Sequence, residues 1–176
     1  MSEANLEDRA AIHDLFTRYC CALDNGEVET VVGCFTEEAA LKSPMIDIRG
    51  HDQIRAFAGR FAAQRDAGTQ IRHMVTNIAV TIDGARATAT AYLLVLISKG
   101  GGHRTLPPGR YECELEKDSG QWRFSRRVAT TEWIRRFADD EFRAIPDQFL
   151  KGRRDGDDPV YQHAGRQNGP EGPPEV

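Results

Sequence analysis

One histidine is placed where it could act as an acid or a base. Residues 70–82, QIRHMVTNIAVTI, alternate in the manner of a strand, and the Asp83-Gly84 pair that follows is typical of a hairpin turn. The alternation puts His73 on the same face as Val75, among apolar neighbours. Such a histidine is either a hydrogen-bonded core residue or a general base that faces a pocket, because imidazole changes protonation near neutral pH.

Three helices are predicted before this strand. Apolar residues recur at spacings of three and four from Ile12 to Leu23, and the first helix should end where Asp24 is followed by Asn25 and Gly26. A second helix is expected at about residues 27–35 and a short strand at residues 40–43. The third helix reaches about residue 65, with Phe57 on its buried side.

Two hairpins complete the predicted fold. The first joins residues 70–82 to 85–98. A two-residue turn would place His73 opposite Leu94 and Val75 opposite Tyr92, and a bulge would shift this pairing by one residue. The second joins residues 109–117 to 121–128, after a mobile connection at residues 99–108. Helices followed by antiparallel strands predict an α+β domain, a curved sheet wrapped around a long helix, and the hollow of such a sheet suits small apolar molecules.

Composition and charge limit the classes of binding partner and the cellular compartment that are expected. The 176 residues carry a net charge of −4 with scattered basic side chains, so neither nucleic acid nor an anionic membrane is expected to bind. No apolar run approaches the roughly 20 residues needed to span a bilayer, and the acidic start does not resemble a signal peptide. A cytoplasmic protein with reduced cysteines is favoured. Residues 1–150 are predicted to form the domain, and residues 151–176 a polar, Gly- and Pro-rich tail.

Two further expectations concern metals and assembly. The sequence has no HxxxH, no CxxC and no His–carboxylate cluster at ligand spacing, so neither a metal nor a cofactor is expected. The other face of the first long strand carries Met74, Ile78 and Val80. An apolar outer face predicts self-association, as a homodimer or a homotrimer.

Four blocks of the sequence resemble the SnoaL-like branch of the nuclear-transport-factor-like superfamily. They cover about residues 5–137 and read AIHDLFTRYCCALDNGEVETVVGCFTEEA, RGHDQIRAF, RHMVTNIAVTIDGARATATAYLLV and GRYECELEKDSGQWRFSRRV. The resemblance implies a cone-shaped α+β barrel of the cystatin-like type. Within this branch the sequence is most similar to scytalone dehydratase, bile-acid 7α-dehydratase and hexachlorocyclohexane dehydrochlorinase.

The resemblance also implies catalytic residues. In those enzymes an Asp at the end of the first helix pairs with a His on the first long strand, which here are Asp24 and His73. The bile-acid enzyme's Tyr, five residues before its Asp, falls on Tyr19, and its last-strand Arg on Arg135. Residues five apart lie about 140° apart around a helix, so Tyr19 and Asp24 reach one pocket only if the helix frays after Leu23.

The substrate should be a small hydrophobic ring, such as a polyketide, a steroid or an aromatic-derived compound. The residues expected to contact it are Tyr92, Arg135, Trp133, Phe57 and Val75. The favoured hypothesis is a cofactor-free lyase or isomerase in which His73 removes a carbon-bound proton. Two alternatives stay open: a binding module without turnover, and a small structural subunit of a ring-hydroxylating dioxygenase.

Overall fold

Helix α1, Glu3–Asn25, forms one wall of the core. The computed structural model describes residues 3–131, so Trp133, Arg135, the domain boundary at residue 150 and the polar tail lie outside the described residues. The predicted apolar stripe of α1 is buried, with each member at most 5% exposed: Ile12, Leu15, Phe16, Tyr19, Cys20 and Leu23. Its wide apolar face allows α1 to pack against two strands of the sheet, residues 70–83 at one edge and residues 121–131 inside it.

A glycine ends α1 at the predicted position. Gly26 has a φ of +74°, and the Glu27 amide donates to the Ala22 carbonyl at 2.8 Å while the Gly26 amide donates to Leu23 at 3.3 Å. This pair of bonds is the Schellman arrangement, which satisfies carbonyls left over at a helix end. Because α1 stays helical through Asn25, the fraying after Leu23 that would let Tyr19 and Asp24 reach one pocket does not occur.

The middle of the chain contains one short helix, two strands and one long helix. Helix α2 spans Val28–Gly33, strand β1 Phe35–Ser43, strand β2 Ile46–Arg49 and helix α3 Gly50–Asp66. Strand β1 begins five residues before the predicted strand, because Phe35 belongs to the sheet and not to the second helix. Strand β2 was not predicted, since four residues with two half-buried isoleucines carry little periodic signal.

The second half of the chain forms the predicted hairpins. The strands are β3 Gln70–Asp83, β4 Arg86–Lys99, β5 Gly102–Thr105, β6 Gly109–Asp118 and β7 Gln121–Thr131. In the described residues the sheet has the order β2-β1-β7-β6-β4-β3, with β5 paired to β4. The predicted α+β class is therefore confirmed, with a curved, unclosed sheet. Two details differ: β1 and β7 pair in parallel, and the expected mobile connection contains β5.

A bulge in β3 changes which residues face the core. Asn77 has a φ of 54°, and the β3–β4 register shifts between Thr76 and Ala79, so His73 lies opposite Val95. The predicted pairing of His73 with Leu94 was one residue off. Beyond the bulge the alternation reverses, and Val80 is buried at 7% exposure.

The outer face of the sheet therefore differs from the predicted one. Ile78 and Val80 pack towards the core, whereas Met74 stays exposed, and other large apolar side chains are exposed as well. These are Tyr92, Leu96 and Leu106. Self-association through this face stays a prediction.

Carboxylates attach α1 to the sheet at both of its ends. Near the start of the helix, Asp8 Oδ1 accepts from Trp122 Nε1 at 2.9 Å and from Lys117 Nζ at 2.7 Å. Those two hydrogen bonds, first from Lys117 and then from Trp122, hold the pKa of Asp8 below its ordinary value. At the other end Asp24 contacts β3. The helix is therefore held against both the β6–β7 hairpin and the edge strand.

None of the helices formed by residues 3–131 combines the length and the apolar character that crossing a bilayer requires.

The turn after α1 should be sensitive to a single methyl group. A Cβ at Gly26 would lie 3.1 Å from Ala62 Cα, and φ is positive there. Gly26→Ala should lower the free energy of unfolding by about 2–4 kcal/mol, measured by urea denaturation. Gly84→Ala is the matched control, because Gly84 also has a positive φ but a Cβ added there would meet no atom of another residue within 4 Å. It should lose only about 1–2 kcal/mol. Equal losses would show that the close approach of Gly26 to α3 is not a constraint.

Candidate active site

Asp24 and His73 form a buried pair with two hydrogen bonds. Asp24 Oδ1 lies 2.6 Å from His73 Nδ1, and Asp24 Oδ2 accepts from the backbone amide of His73 at 2.9 Å. The side chains are 7% exposed for His73 and 9% for Asp24. The structure therefore brings together the two residues that the sequence comparison paired, and one carboxylate holds both the ring and the main chain of the same residue.

The positions of both residues follow from their elements. Asp24 lies in the last turn of α1, immediately before the residues that end the helix. His73 lies on β3, which is the edge strand at one end of the sheet. An edge strand presents backbone amides without a strand partner, and Asp24 satisfies one of them. The pair is thus a tertiary contact between a helix end and a sheet edge, across 49 residues of sequence.

The carboxylate determines which nitrogen of the ring carries the proton. An ionised carboxylate only accepts hydrogen bonds, so Nδ1 of His73 must be the donor. In the neutral ring the lone pair then lies on Nε2, the nitrogen that a base needs. If Nε2 takes up a proton, the Asp24 charge stabilises the resulting imidazolium. The negative end of the α1 dipole, in whose last turn Asp24 lies, adds about 0.3–1 kcal/mol.

One aromatic side chain of α3 lies next to the His73 ring. The Phe61 ring lies 5.8 Å from the imidazole, and Phe57 lies 5.0 Å from Phe61, both measured between ring centroids. Val75 packs against the core two residues after His73. Of the predicted substrate contacts, Phe57 therefore lies next to the residue that contacts His73, and Val75 lies two positions along β3. Phe61, which the sequence analysis placed only on the buried side of α3, is the aromatic residue that contacts the ring.

Tyr19 lies in an aromatic cluster. It is fully buried, and its ring makes edge-to-face contacts with Phe35 at 5.6 Å and Phe124 at 5.9 Å. The Tyr19 hydroxyl has no hydrogen-bond partner in the described part of the chain. Burial raises the pKa of Tyr19 well above its ordinary value although Arg127 opposes the shift, so the hydroxyl remains a potential donor at neutral pH.

Arg127 is a buried cation that sequence reasoning missed. It is 3% exposed, and its guanidinium carbon lies 4.4 Å from the Tyr19 ring centroid and 4.3 Å from that of Tyr111. Within residues 3–131, neither Nε nor Nη1 has a hydrogen-bond partner. Two cation–π contacts contribute about 0.5–2 kcal/mol each, whereas moving an ion out of water costs several kcal/mol. The two tyrosine rings, together with a side-chain hydrogen bond between Tyr111 and Arg127, hold the guanidinium in the interior.

The groups around Arg127 stay neutral. Burial raises the pKa of Tyr111 to about 12, and the pKa values of Cys20 and Cys113 to about 12 as well, against the opposing charge of Arg127. Cys20, one helical turn before Asp24, interacts with the charges of both Asp24 and Arg127. The two buried thiols, Cys20 and Cys113, are free, and their raised pKa values make them poor nucleophiles.

A second bulge explains why Arg127 was missed. Trp122 and Phe124 are both buried, and strict alternation would next place Arg126 inside. The β6–β7 register shifts between Glu114 and Leu115, so Phe124 pairs with Leu115 but Arg126 with Glu114. Arg126 consequently points outward and binds Glu114, and Arg127 enters the core. The sequence of β7 gives no sign of this register shift, so alternation alone could not predict that Arg127 is buried.

The remaining predicted site residues lie elsewhere. Tyr92 is 55% exposed and lies opposite Thr76, on the face of the sheet away from His73, so the prediction that it lines the hollow was wrong. The one-residue register shift is the reason, because it turns Leu93 and Val95 inward instead. Tyr92 lines a groove on the outer face with Met74 and Pro108. Trp133 and Arg135 lie outside the described residues.

Comparison with known proteins agrees with this architecture. Residues 4–128 match the SnoaL-like domain family. No curated protein matches the sequence.

Three solved structures are similar to the chain. A variant of Rv3472, a function unknown protein from Mycobacterium tuberculosis, is 27% identical with a TM-score of 0.67, over 76% of this chain and 78% of that one. An NTF2-like protein with a cystatin-like fold from Novosphingobium aromaticivorans is 23% identical, TM-score 0.66, over 73% and 84%. "Putative Scytalone Dehydratase" from the same species is 21% identical, TM-score 0.66, over 82% and 100%.

At these identities the last two show the shared fold alone. The sequence match is more specific, because it extends from α1 through most of β7 and includes both Asp24 and His73. The predicted nuclear-transport-factor-like, cystatin-like architecture is therefore confirmed. The chain belongs to the SnoaL-like domain family.

Proposed function

We propose that this protein is a lyase or an isomerase that removes a carbon-bound proton from a small hydrophobic ring compound. The observation that carries the proposal is the buried Asp24–His73 pair, in which Asp24 Oδ1 lies 2.6 Å from Nδ1 and leaves Nε2 as the basic nitrogen. This arrangement needs no cofactor, because an oriented imidazole is itself a competent general base.

The proposed reaction begins with the C–H bond of the substrate. Nε2 of His73 takes the proton, and the electron pair of that bond moves into the substrate. In a dehydration or dehydrohalogenation, the pair forms a double bond as the neighbouring hydroxide or halide leaves. In an isomerisation, the pair shifts an existing double bond and a proton returns at another carbon. Asp24 stabilises the imidazolium in either case but does not itself take the proton.

The surroundings of the pair support a ring-shaped apolar substrate. Phe61 lies against the His73 ring, and Phe57 and Val75 extend the same apolar wall. An environment with little water strengthens the charge interaction between Asp24 and the imidazolium. A similarly folded solved structure is named for scytalone dehydratase activity, which is consistent with chemistry of this type on the fold.

The buried pair also argues against the two alternatives. A scaffold subunit or a passive binding module gains nothing from a carboxylate and an imidazole that both lose hydration on burial. Both side chains are less than a tenth exposed, so the loss is nearly complete. A binding module would retain ligand affinity without turnover, and a dioxygenase subunit would require a separate catalytic chain.

Removing the imidazole should abolish proton abstraction. Wild-type protein should catalyse exchange of substrate C–H for deuterium in D₂O, followed by proton NMR on apolar ring compounds such as 2-tetralone and a β-hydroxy ring ketone. His73→Ala should slow this exchange by about 10²–10⁴-fold.

His103→Ala is the matched control for that experiment, because His103 is exposed on β5, where it lies opposite Ser98 of β4. It should leave the exchange rate unchanged. If His73→Ala and the wild type exchanged at the same rate, His73 would not be the base. If the wild type bound ring compounds but exchanged none of them, the binding-module alternative would replace the lyase.

Replacing Asp24 by asparagine should separate stability from activity. The Asn oxygen can accept from the His73 amide, and its NH₂ group can donate to Nδ1, so both contacts survive. The ring must then carry its proton on Nε2, which is no longer basic. We expect Asp24→Asn to unfold within about 1 kcal/mol of wild type but to lose about 10²-fold or more in exchange rate.

Nitrogen-15 NMR of the His73 ring measures directly which ring nitrogen carries the proton. For the free energy of unfolding, Asp24→Ala is compared with Asp24→Asn. The alanine variant leaves the His73 amide without its partner and should lose about 1–3 kcal/mol in unfolding free energy. A wild-type exchange rate in Asp24→Asn, or a ring that kept its proton on Nδ1, would contradict the role given to Asp24.

A further inference from the structure

We propose that Phe61 is a positioning residue for His73, which fixes the orientation of the imidazole and stabilises the imidazolium that proton removal creates. Its ring contacts the imidazole, with 5.8 Å between the two ring centroids. The effect on the imidazolium rests on the proposed function, whereas the effect on ring orientation does not.

Two contacts of different kinds hold the imidazole. Asp24 Oδ1 lies 2.6 Å from Nδ1, at the edge of the ring. The torsion about the Cβ–Cγ bond of a histidine has broad minima, so a hydrogen bond at one ring atom leaves the ring plane free to rock. The Phe61 ring, inclined at 47° to the imidazole, restricts that motion. Nε2 of His73, the nitrogen that takes the proton, is therefore held in one direction.

A close approach between two helices determines the position of Phe61. A Cβ added at Gly26, where α1 ends, would lie 3.1 Å from Cα of Ala62 in α3. Ala62 follows Phe61 in the chain, so the approach that glycine permits also brings the Phe61 ring to His73. Phe57 packs against Phe61 with 5.0 Å between ring centroids and limits the rotamers available to it. The end of α1, helix α3 and strand β3 thus meet around one imidazole.

The Phe61 ring also interacts with the charge that the reaction creates. When Nε2 of His73 takes the substrate proton, a positive charge spreads over the imidazole ring, and the electron pair of the C–H bond stays in the substrate. A cation over the face of an aromatic ring, within about 6 Å of its centroid, is attracted by the ring quadrupole. The separation of 5.8 Å fits such a contact. Because neutral imidazole carries no net charge, the contact stabilises the state after proton transfer more than the state before it.

Burial determines how large this contribution is. The His73 side chain is 7% exposed and Phe61 is half-buried, so little water screens the contact between them. The attraction between a cation and an aromatic ring is strongest where the cation is desolvated. Asp24 contributes more, because a hydrogen bond between two charged groups is stronger than a contact between a cation and a ring. Loss of the Phe61 ring should therefore slow the reaction less than loss of the Asp24 charge.

Motion of the His73 ring tests the positioning role without any substrate. Carbon-13 relaxation of the Cε1–H bond gives an order parameter for the ring on the picosecond-to-nanosecond timescale. We expect a rigid wild-type ring, with an order parameter of about 0.85, and a fall to about 0.6 or below in Phe61→Leu. Phe61→Tyr retains an aromatic ring and should keep the wild-type value.

Phe16→Leu is the matched control, because Phe16 is a buried ring of α1 that packs against Phe124. It should leave the order parameter of the His73 ring unchanged. An order parameter that Phe61→Leu did not lower, or that Phe16→Leu lowered equally, would overturn the positioning role.

Fluorination of the Phe61 ring tests the stabilisation of charge. Fluorine atoms withdraw electron density from the face of the ring and weaken its attraction for a cation, while the shape of the ring changes little. In a series that ends with Phe61→pentafluorophenylalanine, the rate of substrate proton exchange at saturating substrate should fall stepwise, by about threefold to thirtyfold in total. KM should stay unchanged, because the imidazolium forms only after the substrate has bound. Phe16→pentafluorophenylalanine is the matched control and should leave the rate unchanged.

The two measurements distinguish this inference from the proposed function. A wild-type protein that exchanges no substrate proton, with a ring order parameter that falls in Phe61→Leu and not in Phe16→Leu, would refute the lyase and sustain the positioning role. Exchange that depends on His73 but keeps the wild-type rate throughout the fluorinated series would refute the stabilisation of charge by Phe61 and leave the lyase in place.

Discussion

Two hydrogen bonds between Asp24 and His73 join the first helix to an edge strand of the sheet. One carboxylate oxygen accepts from the ring and the other from the main chain of the same residue, so helix α1 and edge strand β3 are held in one relative position. The contact exists only because α1 remains helical to its last residue and then ends abruptly at Gly26. With Asp8 bound to Trp122 and Lys117 near the start of the same helix, a carboxylate attaches each end of α1 to the sheet.

The interior contains two charged groups whose situations are opposite. Asp24 is buried but fully engaged, since both of its oxygens accept hydrogen bonds. Arg127 is buried more deeply, and two of its nitrogens are unpaired within the described residues. A satisfied carboxylate contributes both stability and orientation, whereas the burial of a guanidinium with unpaired donors is destabilising.

Two β-bulges decide which side chains reach this interior. The bulge at Asn77 leaves His73 and Val75 inside but reverses the alternation for the rest of β3. The irregularity between β6 and β7 does the same for β7, where Arg127 replaces Arg126 as the buried residue. Each bulge adds one residue to one strand and so exchanges the faces of everything beyond it. The irregularity between β6 and β7 therefore places Arg127 in the interior, and the bulge in β3 ends the inward-facing run that contains His73.

Local pattern was enough to predict most of the elements of this fold. The apolar stripe of α1, its end at Gly26 and the two hairpins all follow from spacing and turn residues that act over a few positions. The resemblance to SnoaL-like proteins further paired Asp24 with His73. These features were predictable because helices, turns and strand alternation depend on neighbouring residues.

The tertiary structure alone decided how the strands register and which polar groups are buried. In the structure Tyr92 lies on the outer face, α1 stays helical from Tyr19 through Asn25, and the Arg127 guanidinium contacts two tyrosine rings. These outcomes depend on bulges that are set by the packing of one strand against another, and no periodic signal along a single strand records them. The sequence by itself therefore determined most of the elements and one candidate catalytic pair, whereas long-range packing determined which other polar groups are buried in the interior.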